Sequence, residues 1–184
     1  MRYPASETAE KHTRILNEAA RLFRERGFSG VSVSEIMKAT GLTHGPFYNH
    51  FTSKEALMAE SLTHTSATSL ADLEASGQSP QAMLAYIDTY LSTDHRDAPG
   101  DGCLMAALAS EVRHEPAVKG CFTTHLKAAI DKLTAHFPWP SKRRARADSI
   151  RLLSSMVGAL ILARAVDDEA LSDEILKEVR SGLR

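Results

Sequence analysis

The apolar residues of this chain recur at spacings of three and four, which is the period of an α-helix. Ile15, Ala19 and Leu22 lie on one face of a first helix predicted over about residues 7–26. Glycine, proline and serine interrupt the pattern at intervals, and no segment alternates convincingly in the manner of a β-strand. Because the composition is also rich in good helix formers, the sequence predicts an all-α protein.

Length, charge and cysteine content limit the class of protein. The 184 residues suit one ordinary domain, or a small domain fused to a medium one. The net charge of −1 gives no indication of nucleic-acid binding, although residues 1–55 carry eight basic and six acidic side chains. The start has no secretory apolar core, and the apolar run at 156–166 is too short to span a bilayer. We therefore expect a cytoplasmic protein that does not enter the membrane and keeps Cys103 and Cys121 as free thiols.

The most informative stretch begins at residue 32. Either Ser32 or Ser34 can cap a short helix over about residues 34–40, and Gly41 ends it after roughly two turns. Thr43 can then cap a second short helix. Two short helices around a glycine turn, held between longer helices, predict a helix-turn-helix.

The second short helix should reach about residue 50 or 51. Pro46 falls in its first turn, where a missing N–H does no harm. Phe47 and Phe51 are four residues apart and share one face, which should point inward. Ser53 follows as the cap of the next helix.

The remainder of the chain is predicted to be helical, with residues 95–102 as a loop. Proline and glycine mark most of the breaks. The predicted helices cover about residues 53–75, 80–93, 103–111, 116–137, 141–166 and 171–183.

Residues 13–58 resemble the TetR family of bacterial repressors. The strongest part of the match is FYNHFTSKEAL, residues 47–57, and the segment GCLMAALASEV at 102–112 resembles one common subtype more weakly. The resemblance implies an all-α fold of about nine helices. It implies a three-helix DNA-binding domain at residues 1–52 and a helical ligand-binding and dimerisation domain at residues 53–184. It also implies repression of a double-stranded, palindromic operator that a small molecule relieves.

The DNA-binding candidates follow from the way such a unit enters the major groove. The first residues of the second short helix face the base edges, and Gly45 lets the backbone approach closely. By resemblance, the Tyr48 ring packs on the DNA backbone and its hydroxyl reaches a phosphate. Helix N-termini and the Lys54 ammonium favour further phosphates. The full set is Ser32, Ser34, Thr43, His44, Gly45, Tyr48, Asn49, His50 and Lys54.

Because Gly45 and Pro46 leave few long side chains at this end, specificity should depend partly on DNA shape.

A strongly apolar helix near the C-terminus indicates a shared interface. A helix that is apolar on most sides is either interior or covered by a partner. We expect both here, with homodimer contacts through helices at about 141–166 and 171–183. The predicted stripe consists of Ile150, Leu153, Val157, Leu160 and Ile161.

An apolar or amphipathic effector should bind between the linker helix and the helices after it. Methionine and aromatic side chains suit adaptable apolar pockets. The candidate lining residues are Met83, Tyr86, Tyr90, Cys103, Met105, Leu108, Phe122, His125 and Met156.

Two alternative functions stay open at this point. Cys103 opens a helix, where the N-terminal partial charge favours a thiolate, so a redox or electrophile sensor is one alternative. A transcriptional activator is the other. No nucleophile elbow, P-loop, dinucleotide-binding glycine pattern or zinc spacing appears, so we expect neither an enzyme nor a cofactor or metal.

Overall fold

A computed structural model describes residues 5–43 and 45–184, so the base-reading candidate His44 lies outside the described residues. The described residues form nine α-helices and one 3-10 helix and contain no strand, which confirms the all-α prediction. The helices are α1 (Ala5–Arg26), α2 (Val33–Ala39), the 3-10 helix (Gly45–Asn49), α3 (Lys54–Ala75), α4 (Pro80–Tyr90), α5 (Thr93–Asp97), α6 (Leu104–Val112), α7 (Pro116–His136), α8 (Ala145–Ala165) and α9 (Glu169–Gly182).

Local capping sets the bounds of the N-terminal helices. Gly27 ends α1 in the left-handed region at φ 76°. Ser32 caps α2 in a capping box, because its hydroxyl accepts from the Glu35 N–H while the Glu35 carboxylate accepts from the Ser32 N–H. Ser53 caps α3 by accepting from the Ala56 N–H at 3.1 Å, as predicted.

The structure differs from the sequence-based prediction at three places. The second short helix of the helix-turn-helix is a 3-10 turn over Gly45–Asn49 and is shorter than predicted. The predicted loop at 95–102 begins inside α5, whose N-cap Ser92 accepts from the His95 N–H. The helix predicted from residue 141 begins at Ala145. A short capped helix such as α5 carries little apolar periodicity, so the pattern alone misses it.

The first of two apolar cores joins the N-terminal helices to the larger helical part of the chain. It contains Phe23, Phe28 and Phe47 from the N-terminal unit. It also contains Leu104 and Leu108 from α6, so the core crosses the predicted boundary at residue 52. Burial of these large side chains stabilises the two parts as packed neighbours.

The second core lies between α3, α4, α7, α8 and α9. Helix α3 packs along both α1 and α7, and α8 packs against α7 and α9. Ile87, Leu133 and Met156 are fully or almost fully buried at its centre. Within the described part of the chain, no helix is both long and apolar enough to cross a membrane.

The predicted apolar stripe of α8 divides between this core and the surface. Leu153 and Leu160 are buried inside their own chain, which is the interior half of the double role expected for this helix. Ile150 and Ile161 stay exposed, as do Leu162 and Leu171, which the sequence analysis had not singled out.

Candidate DNA-binding face and effector cavity

The turn from residue 45 to residue 51 presents one aromatic side chain to solvent. Phe47 and Phe51 are buried, and the backbone N–H groups of His50 and Phe51 both donate to the Phe47 carbonyl. Tyr48 is 67% exposed and packs edge-on against the Phe47 ring at 5.1 Å. The two phenylalanines therefore anchor the turn and hold Tyr48 outward.

Several other candidates lie close to Tyr48 in the sequence. Thr43, Gly45 and Asn49 are exposed, and His50 is half-buried. The side chains of Thr43, Asn49 and His50 line a hollow of about 350 Å³ that also includes Lys11. Burial lowers the pKa of His50, and the nearby His12 and Lys11 lower it further. The imidazole is therefore mainly neutral at neutral pH and is able to donate or accept one hydrogen bond.

The remaining DNA-binding candidates lie at two helix starts. Ser34 is exposed in the first turn of α2, and Ser32 is exposed but already bonded to Glu35. The Lys54 ammonium donates to the Phe28 carbonyl at 2.6 Å, a partner that the sequence analysis missed. This contact ties the start of α3 to the end of α1 and leaves the ammonium with two further protons.

The α1–α3 interface contains polar contacts that no sequence pattern indicated. His12 contacts the Glu60 carboxylate at 2.6 Å, and its ring stacks on Phe51 with centroids 4.6 Å apart. His64 contacts the Asn17 side chain at 2.7 Å. These pairs are 47 and 48 residues apart in sequence, so only the packed structure brings them together.

A cavity of about 410 Å³ lies in the larger domain, bounded by α3, α4, α6, α7, α8 and the α5–α6 loop. This volume suits a small organic ligand. Five predicted residues line it, namely Tyr86, Tyr90, Cys103, Met105 and His125.

Four predicted lining residues, all described by the structure, lie outside this lining. Leu108 belongs to the first core and Met156 to the centre of the second. Met83 packs against the second core, and Phe122 packs against both cores. The sequence did not place these four correctly relative to the cavity wall because helical spacing shows that a face is apolar but not which neighbour covers it. A role for them in ligand binding stays a prediction.

The cavity wall includes a histidine whose tautomer the backbone defines. His95 Nε2 accepts from the Cys103 N–H at 3.0 Å, so Nδ1 carries the proton and donates to the Tyr90 carbonyl at 2.7 Å. Burial lowers the pKa of His95, which keeps the ring neutral. His125 lines the opposite side, where its Nδ1 contacts the Ser66 hydroxyl, and burial likewise lowers its pKa.

Two tyrosines supply the other polar groups of the wall. Burial raises the pKa of both Tyr86 and Tyr90, so both hydroxyls stay protonated. Cys103 is half-buried at the N-cap of α6 and makes no side-chain capping bond there. The thiol thus faces the cavity at a helix start, as the sequence predicted.

Hydrogen bonds connect the cavity wall to the DNA-binding unit. Arg24 of α1 donates to the Gly100 carbonyl at 2.7 Å and to the Thr65 hydroxyl at 3.2 Å. The Phe28 N–H donates to the Glu111 carboxylate of α6 at 2.8 Å. Gly100 lies in the α5–α6 loop, three residues before Cys103, so a shift of that loop acts directly on α1.

The sequence of the N-terminal unit matches one known family. Residues 15–60 match the family described as bacterial regulatory proteins, tetR family. UidR of Escherichia coli K12, an HTH-type transcriptional regulator, is 29% identical over 113 residues, covering 61% of this chain and 57% of UidR. KstR2 of Rhodococcus jostii RHA1, an HTH-type transcriptional repressor, is 31% identical over 117 residues, which cover 60% of this chain and 56% of KstR2. The chain thus spans little more than half the length of these curated relatives.

The whole fold also has a counterpart among solved structures. The crystal structure of reduced E. coli NemR superposes with a TM-score of 0.76 at 22% identity and covers 95% of each chain. At this identity the likeness concerns the fold alone. The matched N-terminal segment and the similar regulators together support a transcriptional regulator of the TetR family.

Proposed function

We propose that this chain is a homodimeric, DNA-binding transcriptional repressor that a small molecule releases from a palindromic operator in the cytoplasm. The observation that carries the proposal is the Tyr48 turn, where buried Phe47 and Phe51 hold an exposed aromatic residue among polar neighbours. A DNA backbone would cover the exposed Tyr48 ring and bond its hydroxyl.

Salt-dependent binding to a duplex tests this assignment. We would titrate a 30-base-pair random-sequence duplex by fluorescence anisotropy in about 50 mM and 200 mM salt. Counterion release predicts a loss of affinity of about 10³-fold or more for roughly six phosphate contacts. Affinity that does not change with salt would contradict a DNA-binding role.

Two variants then locate the binding face. Tyr48→Phe removes only the hydroxyl and should weaken binding roughly tenfold, because a hydrogen bond to a charged phosphate is lost. Lys54→Ala should weaken DNA binding. It should also reduce the slope of log affinity against log salt concentration by about one, which corresponds to one lost phosphate contact. Lys127→Ala, an exposed lysine on α7, is the matched control and should bind as the parent does. If Tyr48→Phe and Lys54→Ala both bound the duplex with the affinity of the parent protein, these two residues would not be part of the DNA interface.

An exposed apolar face supports dimerisation through α8 and α9. Ile150, Ile161, Leu162 and Leu171 are 40–57% exposed, although each is a large hydrophobic residue. Gly158 lies on the same helix, and a β-carbon placed there would meet no described atom within 4 Å. Large apolar side chains exposed on two packed helices are typical of protein interfaces. A two-fold dimer with one DNA-binding unit in each chain requires a palindromic site.

The oligomeric state tests the interface. Ile161→Glu places a charge on the exposed face of α8 and should give a particle with the mass of one chain, 20.1 kDa, in light scattering. Leu84→Glu is the matched control, because Leu84 is a similarly exposed apolar residue on α4. Equal masses for the two variants would exclude α8 as the interface.

The links between cavity and α1 support an effector response. A ligand releases the operator only if it binds the DNA-incompetent state more tightly than the competent one. The Arg24–Gly100 and Phe28–Glu111 hydrogen bonds connect the elements that bound the cavity directly to α1 and to the turn that follows it. A ligand that moves the α5–α6 loop would therefore shift α1.

Repression is favoured over activation because KstR2 is a transcriptional repressor.

The sensor alternative keeps one observation in its favour, since the half-buried Cys103 thiol faces the cavity.

A further inference from the structure

The Tyr90 hydroxyl is a buried polar group that the protein does not satisfy. Tyr90 is 8% exposed, and its hydroxyl is the one buried side-chain oxygen or nitrogen among the described residues without a hydrogen-bond partner. Buried donors are nearly always paired, and an unpaired one is costly. Because Tyr90 lines the cavity, the missing partner can come from a bound molecule.

The groups around Tyr90 do not replace that partner. Burial and the adjacent Cys103 thiol raise the pKa of the phenol, but the position of the thiol leaves the Tyr90 hydroxyl without a hydrogen bond of normal geometry. The backbone carbonyl of Tyr90 already accepts a hydrogen bond from His95 Nδ1. The Tyr86 ring packs at 6.4 Å from the Tyr90 ring, and much of the remaining wall is aliphatic.

The charges of the lining select against an anion. Asp72 and Asp101 line the cavity, while no lysine or arginine does so in the described part of the chain. Arg164 is outside the lining, although its charge acts on the Tyr90 phenol, and its guanidinium is engaged in hydrogen bonds to the carbonyls of His95 and Arg96. Both lining histidines have a lowered pKa and stay neutral. An anionic group in the cavity would lose its hydration and meet carboxylates without a cation in the lining.

We propose that the cavity binds a neutral, largely apolar molecule that presents one carbonyl oxygen to the Tyr90 hydroxyl. This inference rests on the proposed function, because it names the chemical class of the effector. The phenol stays protonated and is a better donor than acceptor, so an oxygen acceptor suits it. The apolar walls bury the rest of the molecule, and the single polar contact fixes its orientation.

Matched probes test the carbonyl contact directly. Benzophenone is a neutral ketone, diphenylmethane lacks its oxygen, and diphenylacetate carries a charge on the same skeleton. We would measure the binding of each by isothermal titration calorimetry with the full chain and no DNA. We expect benzophenone to bind the parent protein about three- to tenfold more tightly than diphenylmethane, and diphenylacetate to bind most weakly.

The variant Tyr90→Phe assigns the preference to one hydroxyl. It should make the two neutral probes bind equally and leave the affinity for diphenylmethane unchanged or higher. A ketone preference that survives in Tyr90→Phe would overturn the proposal, as would tighter binding of diphenylacetate. No detectable benzophenone binding up to its solubility limit would overturn it as well. An added mass after incubation with benzophenone would instead indicate covalent capture and contradict a hydrogen-bonded ligand.

The ligand class and the regulatory function are tested separately. DNA binding with no ketone preference would refute the proposed ligand class but not the proposed regulatory function. A ketone preference without salt-dependent DNA binding would refute the regulatory function but not the proposed ligand class.

Discussion

Replacement of Gly27 by alanine perturbs the junction between the DNA-binding unit and α6. Gly27 has φ 76°, and a β-carbon there would lie 2.0 Å from the Glu111 carboxylate. The same carboxylate accepts from the buried Phe28 N–H at 2.8 Å. Alanine therefore introduces left-handed strain and also drives Glu111 away from its backbone partner.

Two effects contribute to the expected loss of unfolding free energy in Gly27→Ala. Left-handed backbone at a non-glycine residue costs about 1–2 kcal/mol. A buried N–H left without its acceptor costs about 1–3 kcal/mol. We expect Gly27→Ala to lower the free energy of unfolding by about 2–5 kcal/mol, which is a large fraction of the stability of an ordinary domain.

Gly41 offers a matched control. It has a similar φ of 71°, but a β-carbon there would meet no described atom within 4 Å. Gly41→Ala should therefore show the strain alone, about 1–2 kcal/mol. In a Glu111→Ala background, Gly27→Ala should also cost only the strain, because the clashing carboxylate is gone.

Urea unfolding at one protein concentration measures all four variants. Equal destabilisation by Gly27→Ala and Gly41→Ala would refute the argument that Glu111 couples the two units. An unchanged cost of Gly27→Ala in the Glu111→Ala background would refute it independently.

Four further predictions concern the cavity and its connections. Arg24→Ala should preserve ligand binding measured by calorimetry but reduce the effect of ligand on DNA affinity, because the hydrogen bond from α1 to the cavity loop is lost. Tyr90→Phe should leave the unfolding free energy of the ligand-free protein unchanged or raise it by up to about 1 kcal/mol, and a clear loss of stability in urea would contradict an unpaired hydroxyl. Burial lowers the pKa of His125 in the folded chain, so its contribution to stability is present at high pH and falls as pH drops below about 6.5. The loss of unfolding free energy between about pH 7.5 and 5.5 should therefore be smaller in His125→Gln, and an equal loss would show that this residue does not contribute. In a timed N-ethylmaleimide reaction followed by peptide mass spectrometry, Cys103 should react faster than Cys121, whose pKa is raised by burial and whose thiol donates to a backbone carbonyl.

Local features of the chain were predictable from the sequence. Ser32, Ser53 and Gly41 act within one or two turns of their own position, so capping chemistry identifies them without knowledge of the fold. The inward Phe47 and Phe51 and the outward Tyr48 follow from spacing and resemblance. The structure confirms that the two phenylalanines are buried and that the tyrosine is exposed. The all-α class follows for the same reason, since helical periodicity is a local property.

Contacts between distant segments were decided only by the tertiary structure. The lysine at the start of α3 bonds the Phe28 carbonyl 26 residues away, and the first core includes Leu108 of α6, which the sequence analysis assigned to the cavity. Four of the nine proposed lining residues lie elsewhere, and Leu153 and Leu160 of the α8 stripe face inward. Periodicity specifies that a helix has an apolar face. Which helix, ligand or partner covers that face depends on how all the helices pack together, and no single segment of the chain contains that information.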